Sequence, residues 1–139
     1  MKARQQRRIL LQLGDIENLF IKLHQESKDI LSKEKFLAKE TKQLAIIKLT
    51  QDICEVATTI VKIDRRLIKN YRDIEWLSLK ELREKIVHEH FRIDKGTVWN
   101  MVVNNSIQLE NKFLKFKEYI NSHGIDSKIE SFSENDSIL

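Results

Sequence analysis

The chain has 139 residues, enough for one domain with a single hydrophobic core, and 41% of them are hydrophobic. Proline is absent and glycine occurs only three times, which excludes a β-rich fold with many tight turns, and the single cysteine, Cys54, excludes an internal disulfide and a cysteine metal cluster. The net charge of +4 mildly favours a polyanionic partner, although many proteins with this balance bind no nucleic acid. The composition therefore indicates an all-α protein.

The N-terminal segment MKARQQRRILLQLGDIENLF begins with basic residues, as a signal peptide does. Polar residues interrupt its apolar part at once and no small-residue cleavage site follows, so we interpret it as the start of a helix over about 4–25. No apolar run in the sequence approaches the roughly 20 residues that a membrane-spanning helix needs. We therefore expect the protein to be cytoplasmic.

Two further helices are predicted in the first half of the chain. Ser32 stands where an N-cap residue would begin a short helix over about 33–39. A long helix is predicted from about Thr41 to Ile63, because apolar residues recur there at helical spacing. These residues are Ile46, Leu49, Ile53, Val56 and Ile60.

The second half of the chain is predicted to contain three more helices. A connector over about 64–76 leads into a helix over about 77–91, which we call the motif helix. Asp94 can cap a short helix that follows it. A break at 104–106 precedes the last helix, which is predicted to end at Gly124.

The segment after the last helix differs in charge from the rest of the chain. Residues 123–139 carry four acids and one lysine, a net charge of −3, which leaves +7 for residues 1–122. The segment has few regularly spaced apolar residues, as is typical of a flexible tail. The sequence therefore predicts an antiparallel helical bundle over 1–122 and a flexible acidic polar tail over 123–139.

Arg83 lies on the apolar side of the motif helix. A helix rotates by about 100° per residue, which places Arg83 between Leu82 and Val87 within an apolar arc. A guanidinium in such a place is costly unless an anion pairs with it. The residues alone favour a structural ion pair with a buried acid such as Glu55 on the long helix.

His88 and His90 lie two positions apart, on different sides of the motif helix. His88 is about 140° from Arg83, so one helix does not readily bring both into one small site, whereas two copies related by a two-fold axis could pool them. Otherwise His88 is a half-exposed residue whose ring Glu84, one turn earlier, can hydrogen-bond. His90 lies on the apolar arc, where a histidine is usually a core residue. The two histidines form a poor chelate, so we expect no metal site.

Arg83 and His88 also form the pattern Arg-x-x-x-x-His within LREKIVHEHFRIDKGTVW. This pattern is similar to the signature of the HEPN superfamily, and within it the chain most resembles the HepT-like toxins over about residues 7–122. In that family a tryptophan is followed by Arg-Asn, Val-His-x-Tyr-Phe, Ile-Asp and Val-Trp. The matching residues here are Trp76, Arg83, Val87, His88, Phe91, Ile93, Asp94, Val98 and Trp99.

The resemblance implies a homodimeric HEPN-type bundle with a metal-independent endoribonuclease site, formed by Arg83 and His88, at the dimer interface. RNA supplies its own nucleophile, the 2′-hydroxyl, while a histidine can transfer protons and an arginine can stabilise charge on the phosphoryl oxygens, so no cofactor is needed. The family partner is a nucleotidyltransferase antitoxin encoded by an adjacent gene. Leu77 and Phe91 face away from the Leu82 arc and would provide apolar surface for the second copy.

Two candidate supporting residues depart from the family pattern. Glu84 stands where the family commonly has asparagine, and its carboxylate would repel RNA. His90 stands where the family has the tyrosine that receives AMP from the antitoxin, and it has no hydroxyl. These departures raise a second interpretation, a non-catalytic HEPN module that binds a nucleotidyltransferase and presents its substrate. The third interpretation is a helical assembly protein in which the ion pair of Arg83 is structural.

Overall fold

The structure is a computed structural model that describes residues 1–30, 32–89, 92–100 and 104–138, the last fifteen of these by their backbone. The regular secondary structure of these residues is helical, which confirms the predicted all-α class. The helices are, in chain order, α1 (Ala3–Ser27), α2 (Lys33–Ala38), α3 (Glu40–Ile63), α4 (Leu67–Asn70), α5 (Trp76–His88), α6 (Lys95–Val98) and α7 (Ser106–Ile138).

The long helix α3 lies at the centre of the bundle. It packs against α1 on one side and α5 on the other, and α1 packs in turn against α7. Each of these contacts is made through apolar residues that recur every three or four positions, so that one side of each helix is buried. On α1 these buried residues are Ile9, Leu13, Ile16, Phe20 and Leu23.

The neighbouring long helices run antiparallel, as two hydrogen bonds from the beginning of α1 show. The Gln5 side-chain amide donates to the carbonyl oxygen of Ile63 at the end of α3, at 3.1 Å. The Gln6 amide donates to the carbonyl oxygen of Ile120, near the middle of α7, at 3.3 Å. Near the other end of α1, His24 lies 3.1 Å from Glu110 at the beginning of α7, so α1 runs antiparallel to both neighbours, which confirms the predicted antiparallel bundle.

The predicted helix caps are confirmed at both short helices. The Ser32 hydroxyl accepts a hydrogen bond from the backbone N–H of Lys35 at 3.3 Å, so it caps α2. The Asp94 carboxylate accepts one from the N–H of Gly96 at 3.0 Å and begins α6. Such caps satisfy backbone donors that the first helical turn leaves without a partner.

Aromatic side chains close the end of the bundle where α5 begins. The Trp76 ring lies edge-on to Phe113 and Phe116 of α7, with centroid distances of 6.1 and 5.2 Å. Its indole N–H donates to the backbone carbonyl of Tyr71 at 2.9 Å. Tyr71 itself packs on Phe116 and Tyr119. Because these contacts fix the first residue of α5 against α7, they set the position from which the motif helix starts.

The prediction that Gly124 ends the last helix is wrong. The α-helical backbone of α7 continues through Gly124 to Ile138. A glycine inside a helix costs only about 1 kcal/mol relative to alanine, which weakens a helix without ending it. The flexibility of residues 123–139 and their separation from a domain over 1–122 stay predictions.

None of the helices in the described part of the chain is both long and apolar enough to cross a lipid bilayer.

Candidate functional site

The motif helix α5 is held on α3 by four buried residues. Trp76, Leu79, Leu82 and Ile86 recur every three or four positions and face the core. Arg83 follows directly after a buried leucine, and its side chain lies at the edge of this contact rather than inside it. The apolar packing therefore fixes the backbone under Arg83 and leaves its guanidinium near the surface.

Arg83 faces Glu55 of α3, as the sequence predicts for a structural pair. The distance from Arg83 Nε to Glu55 Oε1 is 3.6 Å, and the two side chains are 39% and 40% exposed. The pairing is thus found, but the expectation of a buried acid is wrong. A contact of this length is an ion pair and not a good hydrogen bond, and pairs at such exposure stabilise a protein by at most about 1 kcal/mol.

Glu55 has a second neighbour that the sequence analysis missed. The side-chain amide of Gln51 donates a hydrogen bond to Glu55 Oε1 at 3.0 Å, one turn earlier on α3. The spacing of four residues is a signal that could have identified it. Gln51 therefore positions the same carboxylate oxygen that attracts Arg83, and Glu55 keeps one hydrogen bond if Arg83 moves away.

His88 is the last residue of α5, and its side chain is exposed. No hydrogen bond or ion pair of the His88 side chain is found within the described residues, so the predicted bond from its ring to Glu84 is not formed there. Glu84 is also exposed. Its carboxylate lies one helical turn before His88 and adds negative charge to this side of α5.

Arg83 and His88 are not joined by a common partner within one copy of the chain, as far as the structure describes it. They are five positions apart, about 7.5 Å along the helix axis. His90, the other candidate supporting residue, and Phe91 of the expected dimer surface both lie outside the described residues. The site within one copy thus consists of a loosely held guanidinium and an imidazole that is free to meet a ligand.

An acidic groove borders the Arg83–Glu55 pair on the side of α1. Its volume is about 460 Å³, and it lies between α1 and α3. Three carboxylates, those of Asp15, Asp52 and Glu55, line it together with Lys22. In the part of the chain that the structure describes, no group of three or more His, Cys, Asp or Glu side chains is arranged to hold a metal ion. Lys22, and the ion pair of Asp52 with Lys48 at 3.1 Å, offset part of this charge, and the remaining excess of acid makes the groove unfavourable for anions.

Cys54, next to Glu55 on α3, is buried and free. Burial, and secondarily the charge of Glu55, raises the pKa of its thiol to about 12. A thiol acts as a nucleophile only as the thiolate, which is scarce at neutral pH with such a pKa. The proximity of Cys54 to the site is therefore a matter of packing and not of chemistry.

Asp94 holds the backbone that follows the motif helix. Its carboxylate accepts hydrogen bonds from the Thr97 hydroxyl at 2.9 Å and from the Gly96 N–H at 3.0 Å. These bonds, that of Thr97 first, lower the pKa of Asp94 from its ordinary value of 3.8. The ionised carboxylate thus stabilises the turn that leads from α5 into α6.

Comparison with known proteins identifies similar sequences. The family model described as Ribonuclease HepT-like matches residues 10–116. A protein of Thermococcus cleftensis named "Probable ribonuclease HepT" is 28% identical over 85 residues, which cover 61% of this chain and 74% of that protein. A protein of Methanocaldococcus jannaschii whose name describes it as a candidate RNase is 27% identical over 71 residues. These cover 51% of this chain and 56% of that protein. No solved structure matches the chain.

Proposed function

The chain belongs to the HepT-like ribonuclease family, and on this basis we propose that it is a metal-independent endoribonuclease, the toxin of a HEPN/nucleotidyltransferase toxin–antitoxin pair. The observation that carries the proposal is that the side chains of the two candidate residues are available to bind a ligand. Among the residues that the structure describes, Arg83 is held by a single ion pair of 3.6 Å, and His88 is exposed at the end of the same helix. Both side chains can therefore reach a bound phosphodiester at little cost to the fold.

The reaction needs only groups that these side chains and the RNA supply. The 2′-oxygen of the RNA attacks the adjacent phosphorus, the bond from phosphorus to the 5′-oxygen breaks, and a cyclic phosphate forms. The proton of the 2′-hydroxyl passes to a neutral imidazole, and the departing 5′-oxygen receives a proton from an imidazolium. Arg83 stabilises the charge that grows on the non-bridging oxygens. His88 of two copies could serve as base and acid.

A homodimer would bring two such sets together. Leu77 and Val87, both on α5, are 55% and 43% exposed, and they lie on either side of Arg83 along the helix. Leu44, earlier on α3, is also exposed. Exposed apolar residues on adjacent helices favour contact with another protein surface. We propose that a second copy of the chain covers this face, which places the site at the dimer interface.

The carboxylate of Glu55 has a defined part in this scheme. When a phosphate binds, Arg83 exchanges Glu55 for a phosphate oxygen, which its planar guanidinium can bind with two N–H groups. Glu55 is left with its hydrogen bond from Gln51. Because the exchange replaces one exposed anion by another, Glu55 keeps the site closed to weak anions without preventing the binding of RNA.

The nucleotidyltransferase partner would restrain the protein mainly by binding. His90 has no hydroxyl, and AMP on an imidazole nitrogen hydrolyses far more readily than AMP on a tyrosine. The remaining phenols lie away from the motif, since Tyr71 and Tyr119 pack on Phe116 at the far end of α5. Incubation of the pair with ATP and magnesium, followed by the intact mass of this chain, tests this. A stable AMP adduct beside Arg83 and His88 would contradict it.

The nuclease activity is tested with the purified chain and a labelled single-stranded RNA, in buffer with and without EDTA. We expect cleavage in both buffers, and at least a hundredfold slower cleavage by His88→Ala, since general acid–base catalysis contributes about 10²–10⁴-fold. His24→Ala is the matched control. His24 Nε2 lies 3.1 Å from Glu110 Oε1, on the other side of the bundle. Loss of cleavage in EDTA that a divalent ion restores would refute the mechanism.

A second function is favoured by the carboxylates around Arg83. Glu55 and Glu84 both add negative charge near the guanidinium, which weakens phosphate binding. If the wild-type chain cleaves no RNA but co-purifies with the neighbouring nucleotidyltransferase, it is a non-catalytic module that presents the partner's substrate. Glu84→Asn separates the two functions, because it should increase cleavage by a nuclease and leave a binding module unchanged.

A further inference from the structure

A second concave surface lies on the other side of the Arg83–Glu55 pair from the acidic groove. It is a pocket of about 310 Å³ between α3, α4 and α5, and we call it the basic pocket. The residues that line it are Thr58, Val61, Lys62, Arg65, Ile68, Trp76, Leu77 and Lys80.

The three cations of the basic pocket are not neutralised. The side chains of Lys62, Arg65 and Lys80 make no ion pair or hydrogen bond within the described residues, and no carboxylate of that part of the chain lines the pocket. Other basic residues of the chain do pair, such as Lys117 with Glu17 at 2.8 Å. The pocket therefore concentrates positive potential in a concave surface, where it attracts anions more strongly than a flat surface would.

The floor of the basic pocket is apolar and fixed. Trp76 is buried and held by its hydrogen bond to the carbonyl of Tyr71, while Leu77 is exposed at the mouth. Val61 and Ile68 complete the floor. An apolar surface beneath three cations fits a ligand with a flat, weakly polar part and an anionic part, as a nucleotide has.

The basic pocket continues directly from the candidate site. Thr58 and Lys80, which line it, are each three positions from a member of the Glu55–Arg83 pair, about 4.5 Å along their helices. The acidic groove on the far side of Glu55 repels phosphates. A polyanion held at Arg83 is therefore attracted towards the basic pocket and not towards the acidic groove.

We propose that the basic pocket binds one phosphate and the adjoining base of a single-stranded RNA, next to the bond that Arg83 and His88 cleave. The proposal rests on the ribonuclease function, and it specifies on which side of the scissile bond the protein binds a further nucleotide. Lys62, Arg65 and Lys80 contact phosphate oxygens, and the apolar floor at Val61 and Ile68 receives the base. RNA with a nucleotide on that side of the scissile bond binds more tightly than RNA that ends there.

The test uses a fluorescein-labelled RNA of ten nucleotides of mixed sequence with 2′-O-methyl groups, which cannot be cleaved. Its affinity for the full chain is measured by fluorescence anisotropy at several salt concentrations. The double variant Lys62→Gln, Lys80→Gln should bind about tenfold more weakly at 0.1 M salt, with a shallower salt dependence, since each lost phosphate contact reduces the slope by about 0.7 for a single strand. The control is Lys112→Gln, Lys115→Gln on α7, which removes the same charge from exposed residues elsewhere.

Each other outcome overturns the proposal. If both double variants weaken binding equally, only net charge matters, and if neither does, RNA does not enter the pocket. If the pocket variant binds RNA normally but loses affinity for a peptide of residues 124–139, the pocket receives the chain's own acidic segment. Light scattering checks that both variants keep the wild-type oligomeric state, and Arg65→Gln replaces the pocket variant if it does not.

The same experiment separates this proposal from the ribonuclease function. His88→Ala should bind the methylated RNA as the wild type does while it cleaves an unmodified one poorly. If His88→Ala cleaves normally, the assignment of the nuclease site fails, whereas binding at the basic pocket is still decided by the lysine variants. If His88→Ala is inactive and the lysine variants bind normally, the nuclease site stands and the basic pocket is not part of it.

Discussion

Two arginines of this protein each face a carboxylate, and the two pairs differ in almost every respect. In the turn after α3, Asp64 is 6% exposed and accepts hydrogen bonds from Arg66 Nε at 3.0 Å and Nη2 at 3.2 Å. In the middle of α5, Arg83 Nε lies 3.6 Å from Oε1 of the much more exposed Glu55. The carboxylate of the first pair is buried, although its arginine is 62% exposed, whereas both members of the second pair are partly exposed.

The difference lies in what each carboxylate does for the backbone. Asp64 also accepts a hydrogen bond from the backbone N–H of Arg66 at 3.1 Å, so it organises the turn that leads into α4. Glu55 contacts no backbone donor in the described part of the chain, and only the side chain of Gln51 holds it. Because Glu55 holds no part of the backbone there, Arg83 can release Glu55 and bind an anionic ligand instead, as an anion-binding site requires.

The largest expected effect is on the rate of RNA cleavage, which should depend on Arg83 and not on Arg66. Arg83→Ala should slow RNA cleavage at least a hundredfold, since loss of one group that stabilises charge in the transition state costs about 10²–10³-fold. Arg66→Ala should leave the cleavage rate within a factor of about two and lower the melting temperature instead. Initial rates with a labelled RNA and thermal unfolding of both variants decide this. Equal loss of activity in both variants would show that Arg83 acts through the fold.

The second prediction tests whether helix α3 opens locally next to Glu55, as the weak pairing of Glu55 with Arg83 would allow. Cys54, the neighbouring residue, is buried with a pKa of about 12 for its thiol. We expect a disulfide reagent at pH 8 to modify it at least a hundredfold more slowly in the native protein than in denaturant, because so little thiolate forms. Rapid modification of the native chain would mean that α3 opens near Glu55, and the arginine pair would then be mobile as a whole.

A third, smaller effect compares the two carboxylates by stability. Asp64→Ala should reduce the free energy of unfolding by about 1–3 kcal/mol, because the turn before α4 loses the charged acceptor of three hydrogen bonds from Arg66. Glu55→Gln should change it by less than about 0.5 kcal/mol, as is usual for exposed pairs. Urea unfolding of both variants, followed by circular dichroism, measures the difference. A similar loss for Glu55→Gln would make the Arg83 pair structural, as the sequence alone favours.

The smallest expected effect is on the acid sensitivity of the melting temperature, through the carboxylate of Asp94. Asp94 is exposed like Glu55 but bonded to Thr97 and Gly96, which lower its pKa below 3.8. Its ionised form thus stabilises the folded state above the pKa of the unfolded chain, and this contribution is lost as the pH falls through the folded value. We expect Asp94→Asn to show a smaller drop in melting temperature between pH 5 and pH 3 than the wild type does. An identical drop in both would show that the cap has no part in acid sensitivity.

The helices and their caps could be predicted because they depend on residues close together in the sequence. Ser32 and Asp94 precede the turns that they cap, and the apolar spacing is repeated over about four turns of α1 and about six turns of α3. Gly124 misled the prediction because the cost of a glycine within a helix is smaller than the signal suggests. Local rules therefore locate the helices more reliably than they locate a helix end.

The site could be predicted only in part. The family pattern and the apolar arc identify Arg83, and the long helix provides Glu55 as its partner. The exposure of that pair depends on how α3 and α5 cross, which the spacing of residues within one helix does not contain. The same is true of the basic pocket, whose cations Lys62 and Lys80 lie on different helices and meet only after packing.

The two tryptophans of the chain lie in different parts of the structure, so intrinsic fluorescence can report on the basic pocket. Trp76 lines the basic pocket, whereas Trp99 packs on Phe36 of α2 with a centroid distance of 5.7 Å. With Trp99→Phe, the remaining emission would come from the floor of the basic pocket alone. Quenching by an unlabelled oligonucleotide could then be followed in real time, and the colour of the emission would report how much water the ligand displaces there.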